Sequence, residues 1–261
     1  MILDRIIAKK RKTLPFIVNH YRHTLKDRIP TPKPRASFYD AIAKPGLSII
    51  GEIKKASPSK GILKEDFKPL SLAKQYANHV DAISVITEEY FFKGKLEYLQ
   101  QVHDIVTLPL LCKDFIIDPI QIDMAYELGA SCVLLIASIL TRKELARYIQ
   151  YAKNLPIDTL VEVHTQKELE KVLETEAKII GINNRNLDNF KTNLETSLIL
   201  SHQIPKDRLV ISESGIYTFQ DVQLLSSQGS IHGILVGESF MKSHDIASHA
   251  KELRNGYESR N

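Results

Sequence analysis

The sequence predicts a (βα)8 barrel, an α/β fold, preceded by an N-terminal helical extension. Three observations carry that expectation. Short runs rich in Val, Ile and Leu recur eight times, starting between 20 and 34 residues apart, room for a strand, a helix and two loops each. The runs are continuous rather than alternating, as strands buried on both faces of a parallel sheet require. The gaps carry helical periodicity, and eight such units in roughly 215 residues fit a closed barrel better than an open doubly wound sheet, the alternative on periodicity alone.

Residues 1–45 stand apart from this rhythm. Leu3, Ile6 and Ile7 suggest one amphipathic helix at the start, and Pro30, Pro32, Pro34 and Pro45 break any longer one. The eight runs begin at Ser48, Ala82, Leu110, Cys132, Thr159, Ile179, Leu209 and Gly233. Helical patterns occupy 70–80, 95–106, 119–128, 142–153, 166–175, 194–202, 219–227 and 241–253. Asp118 before Pro119, and Thr141 three residues before Glu144, are helix-start signals.

The 261 residues are 43% hydrophobic and 25% charged, which excludes a wholly disordered or collagen-like chain. A formal charge of +4 is too small to mark a nucleic-acid protein, though its sign slightly favours anionic ligands. Lys9, Lys10, Arg11 and Lys12 read as the solvated face of the first helix rather than as a nucleic-acid or lipid patch. Cys112 and Cys132, both inside apolar runs, read as buried free thiols of a reducing compartment. Asp4, Arg5, Lys9 and Lys10 interrupt the apolar stretch a signal peptide would need, and no run approaches the roughly 18 apolar residues of a membrane span. The expectation is a cytoplasmic protein.

In such a barrel the active site lies at the C-terminal ends of the strands. Here those ends are polar: Glu52 and Lys54 close the first run, Lys113 and Asp114 the third, Glu162 the fifth, Asn183 and Arg185 the sixth, Glu213 and Ser214 the seventh, and Gly237 the eighth. Each alone has an ordinary reading as a solvated or paired charge. Glu162 is sharper, because Val161 and Val163 face the opposite way and an isolated buried carboxylate is very costly. Two lysines and three glutamates converging on one mouth would form an acid and base site, with burial and repulsion expected to pull lysine pKa values down and push glutamates up.

Ser214 and Gly215 after the seventh run, and Gly237, Glu238 and Ser239 after the eighth, form a phosphate-like constellation, since glycines admit backbone amides to an anion and this corner of the fold commonly holds phosphate. The segment 56–61 with Ser57 could complete it or act as a lid, and is otherwise a plain loop. Phe91, Phe92 and Phe115 suit an aromatic pocket, whereas Leu134 reads first as core. His164 could be catalytic, but a surface-loop histidine is the more ordinary reading. The histidines and cysteines lack metal-ligand spacing, and no GxGxxG or GxxxxGK[ST] motif marks a nucleotide cofactor.

Seven ordered stretches carry a resemblance: IIGEIKKASPSKG (49–61), SVITEEYFFKG (84–94), LLCKDFIID (110–118), LVEVHT (160–165), IIGINNRNL (179–187), ISESGI (211–216) and LVGESFM (235–241). With them the chain resembles the indole-3-glycerol phosphate synthases over essentially its whole length. The resemblance implies one barrel domain over 1–261 whose first 45 residues cover the active-site mouth. It implies ring closure, decarboxylation and dehydration of 1-(2-carboxyphenylamino)-1-deoxyribulose 5-phosphate, with no cofactor and no metal. Lys113 would be the general acid, Glu162 the general base, and Lys54 the holder of the substrate carboxylate. Glu52, Asn183 and Glu213 would orient these groups, and Arg185 would steer charge. Ser57, Ser214, Gly215, Gly237, Glu238 and Ser239 would line the phosphate corner, and Phe92, Phe115, Leu134 and Leu187 would wall the aromatic ring. Where the family often reads NSRDL, this chain has Asn184, Arg185, Asn186 and Leu187, without the acidic residue. The expected partner is the small-molecule substrate alone, with no nucleic acid or membrane, and a monomer. Another phosphosugar barrel, an isomerase or an aldolase with Lys113 as Schiff-base amine, stays open on the residues themselves, as does a silent phosphosugar binder.

Overall fold

The computed structural model describes residues 2–25, 36–186 and 190–259; Pro30, Pro32, Pro34 and the expected wall residue Leu187 lie outside them. All eight runs form strands: β1 (Ser48–Ile53), β2 (Ala82–Ile86), β3 (Leu110–Lys113), β4 (Cys132–Ile136), β5 (Asp158–Val163), β6 (Ile179–Asn183), β7 (Leu209–Glu213) and β8 (Gly233–Val236). Every neighbouring pair is parallel, and β1 pairs with both β2 and β8, so the sheet closes. The expected (βα)8 barrel is what forms, and an open sheet is excluded.

Two apolar layers account for the continuous runs. Ile50, Ala82, Leu111, Leu134, Leu160, Ile179, Ile211 and Leu235 fill the barrel interior. Their neighbours, among them Ile49, Ile83, Leu110, Val133, Val161, Ile180, Val210 and Ile234, pack outward under the helices. The thiols are buried and unpaired, Cys112 outside the wall and Cys132 inside it. Burial pushes the Cys112 thiol up to about 12, so it stays protonated at neutral pH.

The helices are α1 (Ile2–His20), α2 (Phe38–Ile42), α3 (Pro69–Tyr76), α4 (Glu97–His103), α5 (Ile120–Glu127), α6 (Arg142–Asn154), α7 (Gln166–Leu173), α8 (Glu195–Ser201), α9 (Phe219–Gln228), α10 (Glu238–Lys242) and α11 (Ile246–Glu258). Thr141 and Glu144 form the expected capping box of α6, and Asp118 accepts from the Ile120 N–H at 2.9 Å at the start of α5. The helix expected over 241–253 is two helices. Ser243 and Asp245 bond each other locally, and Asp245 then caps α11 through the Ser248 N–H at 3.0 Å, so these short polar side chains compete with the helical ladder.

Helices α1 and α2, within the first 45 residues, serve opposite ends of the barrel. Ile2, Leu3 and Ile6 of α1 reach the cavity at the C-terminal ends of the strands. Phe38 and Ile42 of α2 are fully buried against the interior layer at the opposite end, where the Tyr39 N–H bonds Asp158 at 2.9 Å. The basic cluster is not uniformly solvated. Lys10 is buried and its Nζ lies 2.6 Å from Asp114 Oδ1, while Lys9 sits 3.9 Å above the Tyr90 ring. That pair docks α1 on the loop after β3. Among the described residues, no helix is long and apolar enough to cross a membrane.

Candidate active site

The strands that close the cavity divide the work by parity. The odd strands each end with an inward charged residue, Glu52 on β1, Lys113 on β3, Glu162 on β5 and Glu213 on β7. The even strands supply smaller or neutral neighbours, including Ile86, Leu134 with Ile136, Asn183, and Gly237 just beyond β8. A barrel layer is built from alternate strands, so one charge per odd strand brings four charges together.

Lys113 is the hub. Its Nζ lies 2.6 Å from Glu213 Oε2 and 3.2 Å from Glu162 Oε2, and the carboxylates are 1% and 6% exposed. Burial alone would lower the lysine, but attraction to Glu213, Glu162 and Glu52 outweighs it and the net shift is upward. The lowered lysine pKa expected from the sequence is therefore corrected: three carboxylates face this ammonium. The glutamates split. Burial would raise Glu162, yet Lys113, His164 and a hydrogen bond from Asn183 bring it below the ordinary value. Glu213 is pushed up to about 7, because burial and repulsion from Glu162 and Glu52 exceed what Lys113 returns. Lys54 Nζ, itself half-buried, lies 2.5 Å from the buried Glu52 Oε1, a second ion pair beside the first.

Gly181, beneath this layer on β6, gives Glu213 its room: a Cβ there would lie 2.1 Å from Glu213 Oε1 and 3.3 Å from Leu160. Gly181→Ala is expected to destabilise the fold by about 1–3 kcal/mol through overpacking, read as a lower urea midpoint. An unchanged midpoint would mean that Glu213 swings aside without cost.

The anion-like corner is built from the β7 and β8 loops. Ser214 and Gly215 take φ of 63° and 81°, both left-handed, which aims the turn into the cavity. Asn184 holds this turn from below, donating to the Ser214 carbonyl at 3.0 Å and to Ser212 Oγ at 2.9 Å, while accepting from Ser197. Ser57, Gly237, Glu238 and Ser239 line the same cavity. Arg185 reaches Glu238 at 3.6 Å and donates to the Phe190 carbonyl at 3.2 Å, so it is held without an acidic residue at position 186.

Phe92 and Phe115 face each other with ring centroids 6.0 Å apart, and Leu134 and Ile136 continue the apolar wall. Phe91 does not line the cavity. Glu88, which sequence reasoning did not single out, sets Phe92 in place: buried, it accepts from the backbone N–H groups of Tyr90, Phe91 and Phe92 at 2.7–3.0 Å. Tyr217, which sequence reasoning did not single out, also lines the cavity, as do Ile2, Leu3 and Ile6 of α1. His164 is not a surface-loop histidine, since its side chain is only 7% exposed. Within the described segments every site residue that the resemblance implied borders this one cavity, whereas Phe91 and His164 do not line it. Among those residues no three His, Cys, Asp or Glu side chains are grouped to hold a metal ion.

Such an arrangement offers an ammonium, an ionised carboxylate, a carboxyl group that titrates near neutrality, a corner of serines and glycines and an aromatic wall in one space. Comparison with known proteins agrees in kind. The family model described as indole-3-glycerol phosphate synthase matches residues 3–253. The indole-3-glycerol phosphate synthase of Alkaliphilus metalliredigens is 46% identical over 259 residues, covering 98% of this chain and 99% of that protein. That of Acetivibrio thermocellus is 45% identical over 262 residues, covering 97% and 99%. Among solved structures, 3-hexulose-6-phosphate synthase from Salmonella typhimurium superposes with a TM-score of 0.64 at 13% identity, over 82% of this chain and 100% of that one. N-(5'-phosphoribosyl)anthranilate isomerase from Pyrococcus furiosus gives 0.59 at 13% identity, over 81% and 98%. These two likenesses concern the barrel fold alone.

Proposed function

The chain belongs to the indole-3-glycerol phosphate synthase family, carboxy-lyases of tryptophan biosynthesis, and from that premise we propose how its residues divide the reaction. The observation that carries the reading is Lys113 held between Glu162 and Glu213 in a cavity that also has an aromatic wall and a corner of serines and glycines. The substrate, 1-(2-carboxyphenylamino)-1-deoxyribulose 5-phosphate, has three parts that this cavity can separate. Its phosphate sits against Ser57, Ser214, Gly215, Gly237 and Ser239, its aromatic ring against Phe92, Phe115 and Leu134, and its carboxylate against Lys54.

Held at both ends, the ring carbon bearing the carboxylate approaches the sugar carbonyl, and orientation of this kind removes much of the entropic barrier. Lys113 is the general acid. Its raised pKa keeps it an ammonium at neutral pH, and it gives its proton to the carbonyl oxygen as that oxygen gains alkoxide charge. The same property argues against a Schiff-base role, which needs the free amine. Carbon dioxide then leaves, restoring the electron pair to the ring system. Glu162, kept ionised, takes a proton from the carbon beside the nitrogen while a lysine of the site, Lys54 or Lys113 once reprotonated, protonates the hydroxyl, which departs as water as the indole double bond forms. Glu52, Asn183 and Glu213 orient these groups, Arg185 steers the anionic substrate, and α1 covers the mouth. The enzyme acts in the cytoplasm as a monomer on this small molecule.

The test is indole fluorescence appearing from that substrate without added metal or nucleotide; no fluorescence, or a borohydride-trapped adduct on Lys113, would overturn the assignment. Lys54→Ala is expected to raise KM about 10–100-fold, the loss of one charged hydrogen bond to the substrate carboxylate. An unchanged KM in steady-state kinetics would remove Lys54 from that role.

A further inference from the structure

His164 immediately follows β5 and lies between two carboxylates. Its Nδ1 is 3.2 Å from Glu168 Oε2, and the same oxygen accepts from the His164 backbone N–H at 2.7 Å. Its Nε2 is buried and makes no hydrogen bond among the described residues; it faces Glu162 Oε1 across 3.3 Å, within ion-pair distance but out of hydrogen-bond alignment. Lys113 holds the other oxygen of that carboxylate, Oε2. Glu168 is itself fixed in the first turn of α7, where its N–H is capped by Thr165 Oγ1 at 3.3 Å. A continuous line of three side chains thus runs from a helix start to the barrel mouth.

We propose that His164 is a positioning residue for proton transfer: oriented by Glu168, it holds Glu162 Oε1 opposite Lys113 and so keeps that carboxylate aimed and ionised. The inference rests on the reading of Glu162 as the base. Electrostatics support the geometry. Burial would lower the histidine, but the Glu168 hydrogen bond and attraction from Glu162, Glu168 and Glu213 outweigh it, which favours the imidazolium. Around Glu162 the charged and polar partners are Lys113 from β3, Asn183 from β6, Glu213 from β7 and His164 itself, with Glu52 facing from β1 through Lys113. Of the two basic side chains on Glu162, His164 is the one that can be removed without touching the proposed acid.

The experiment compares His164→Asn, Glu168→Gln and Glu162→Gln with wild type by kcat and KM across pH, with thermal melts reporting folding. His164→Asn is expected to lose about tenfold in kcat with KM within about threefold, and to move the acidic limb of kcat/KM up by about one pH unit. Glu168→Gln keeps an acceptor for the His164 N–H groups but loses the charge, so it moves the limb in the same direction by less, and carries the test if the Asn variant does not fold. An unmoved acidic limb in the folded variants, even with a lowered rate, would reduce His164 to a structural role and overturn the inference. Full activity of Glu162→Gln would instead overturn the base assignment beneath it.

Discussion

Lys113→Ala is expected to lower kcat by about 10²–10⁴-fold, the range for loss of a general acid, while substrate binding changes little. In the proposed division of roles the phosphate and carboxylate ends of the substrate are held by other groups, so the loss should fall on the chemical step and not on KM. Stability should respond as well. Removing the ammonium leaves Glu213 and Glu162 buried without their shared cation, and breaking a buried pair in this way costs about 3–5 kcal/mol. The sign of its pH dependence follows. Without Lys113 both carboxyls have folded pKa values above the unfolded one, so the fold is favoured where they are protonated and loses stability as pH rises through those values. Thermal melts of the variant should therefore improve from about pH 8 to about pH 5 relative to wild type. Indole fluorescence with a substrate titration checks the kinetic half. Substantial turnover by the variant, or a raised KM at unchanged kcat, would remove Lys113 as the acid.

Much of this site was legible because a barrel turns a linear pattern into a ring. A strand end is a place in the sequence, and once eight apolar runs are found the polar residues that close them face one mouth. Glu162 could be read as inward because Val161 and Val163 must be outward, and both valines do pack under the helices. What could not be read was anything that depends on distance between elements. Lys10 sits in a run of basic residues and is nonetheless the buried partner of Asp114, because α1 crosses the loop after β3. His164 follows a strand in what looks like a loop, yet Glu168 of α7 folds back over it. The direction of the Lys113 shift depended on how many carboxylates surround it, and spacing along the chain does not count neighbours across a barrel. Likewise α2 lies inside a proline-rich stretch with no periodicity to reveal it, while in space Phe38 and Ile42 close the far end of the interior.

The two carboxylates on Lys113 should separate cleanly by mutation. Glu162→Gln is expected to lower kcat by about 10²–10⁴-fold, since an amide cannot take the proton. Glu213→Gln leaves a base in place and should cost less, acting through the orientation of Lys113. Their effects on stability should carry opposite pH signs. Glu162 has a lowered folded pKa, so it stabilises the wild type above its unfolded value and that contribution is lost as pH falls. Glu162→Gln is thus most destabilising at alkaline pH and converges on wild type in acid. Glu213 has a folded value near 7, so its contribution is present below the unfolded value and is lost as pH rises through about 7. Glu213→Gln mimics the protonated form, and its melting temperature relative to wild type should rise between about pH 5 and pH 8. Parallel pH trends in the two variants would mean that one proton is shared evenly between the carboxyls. The division of labour, an ionised base beside a carboxyl group titrating near neutrality, would then have to be abandoned.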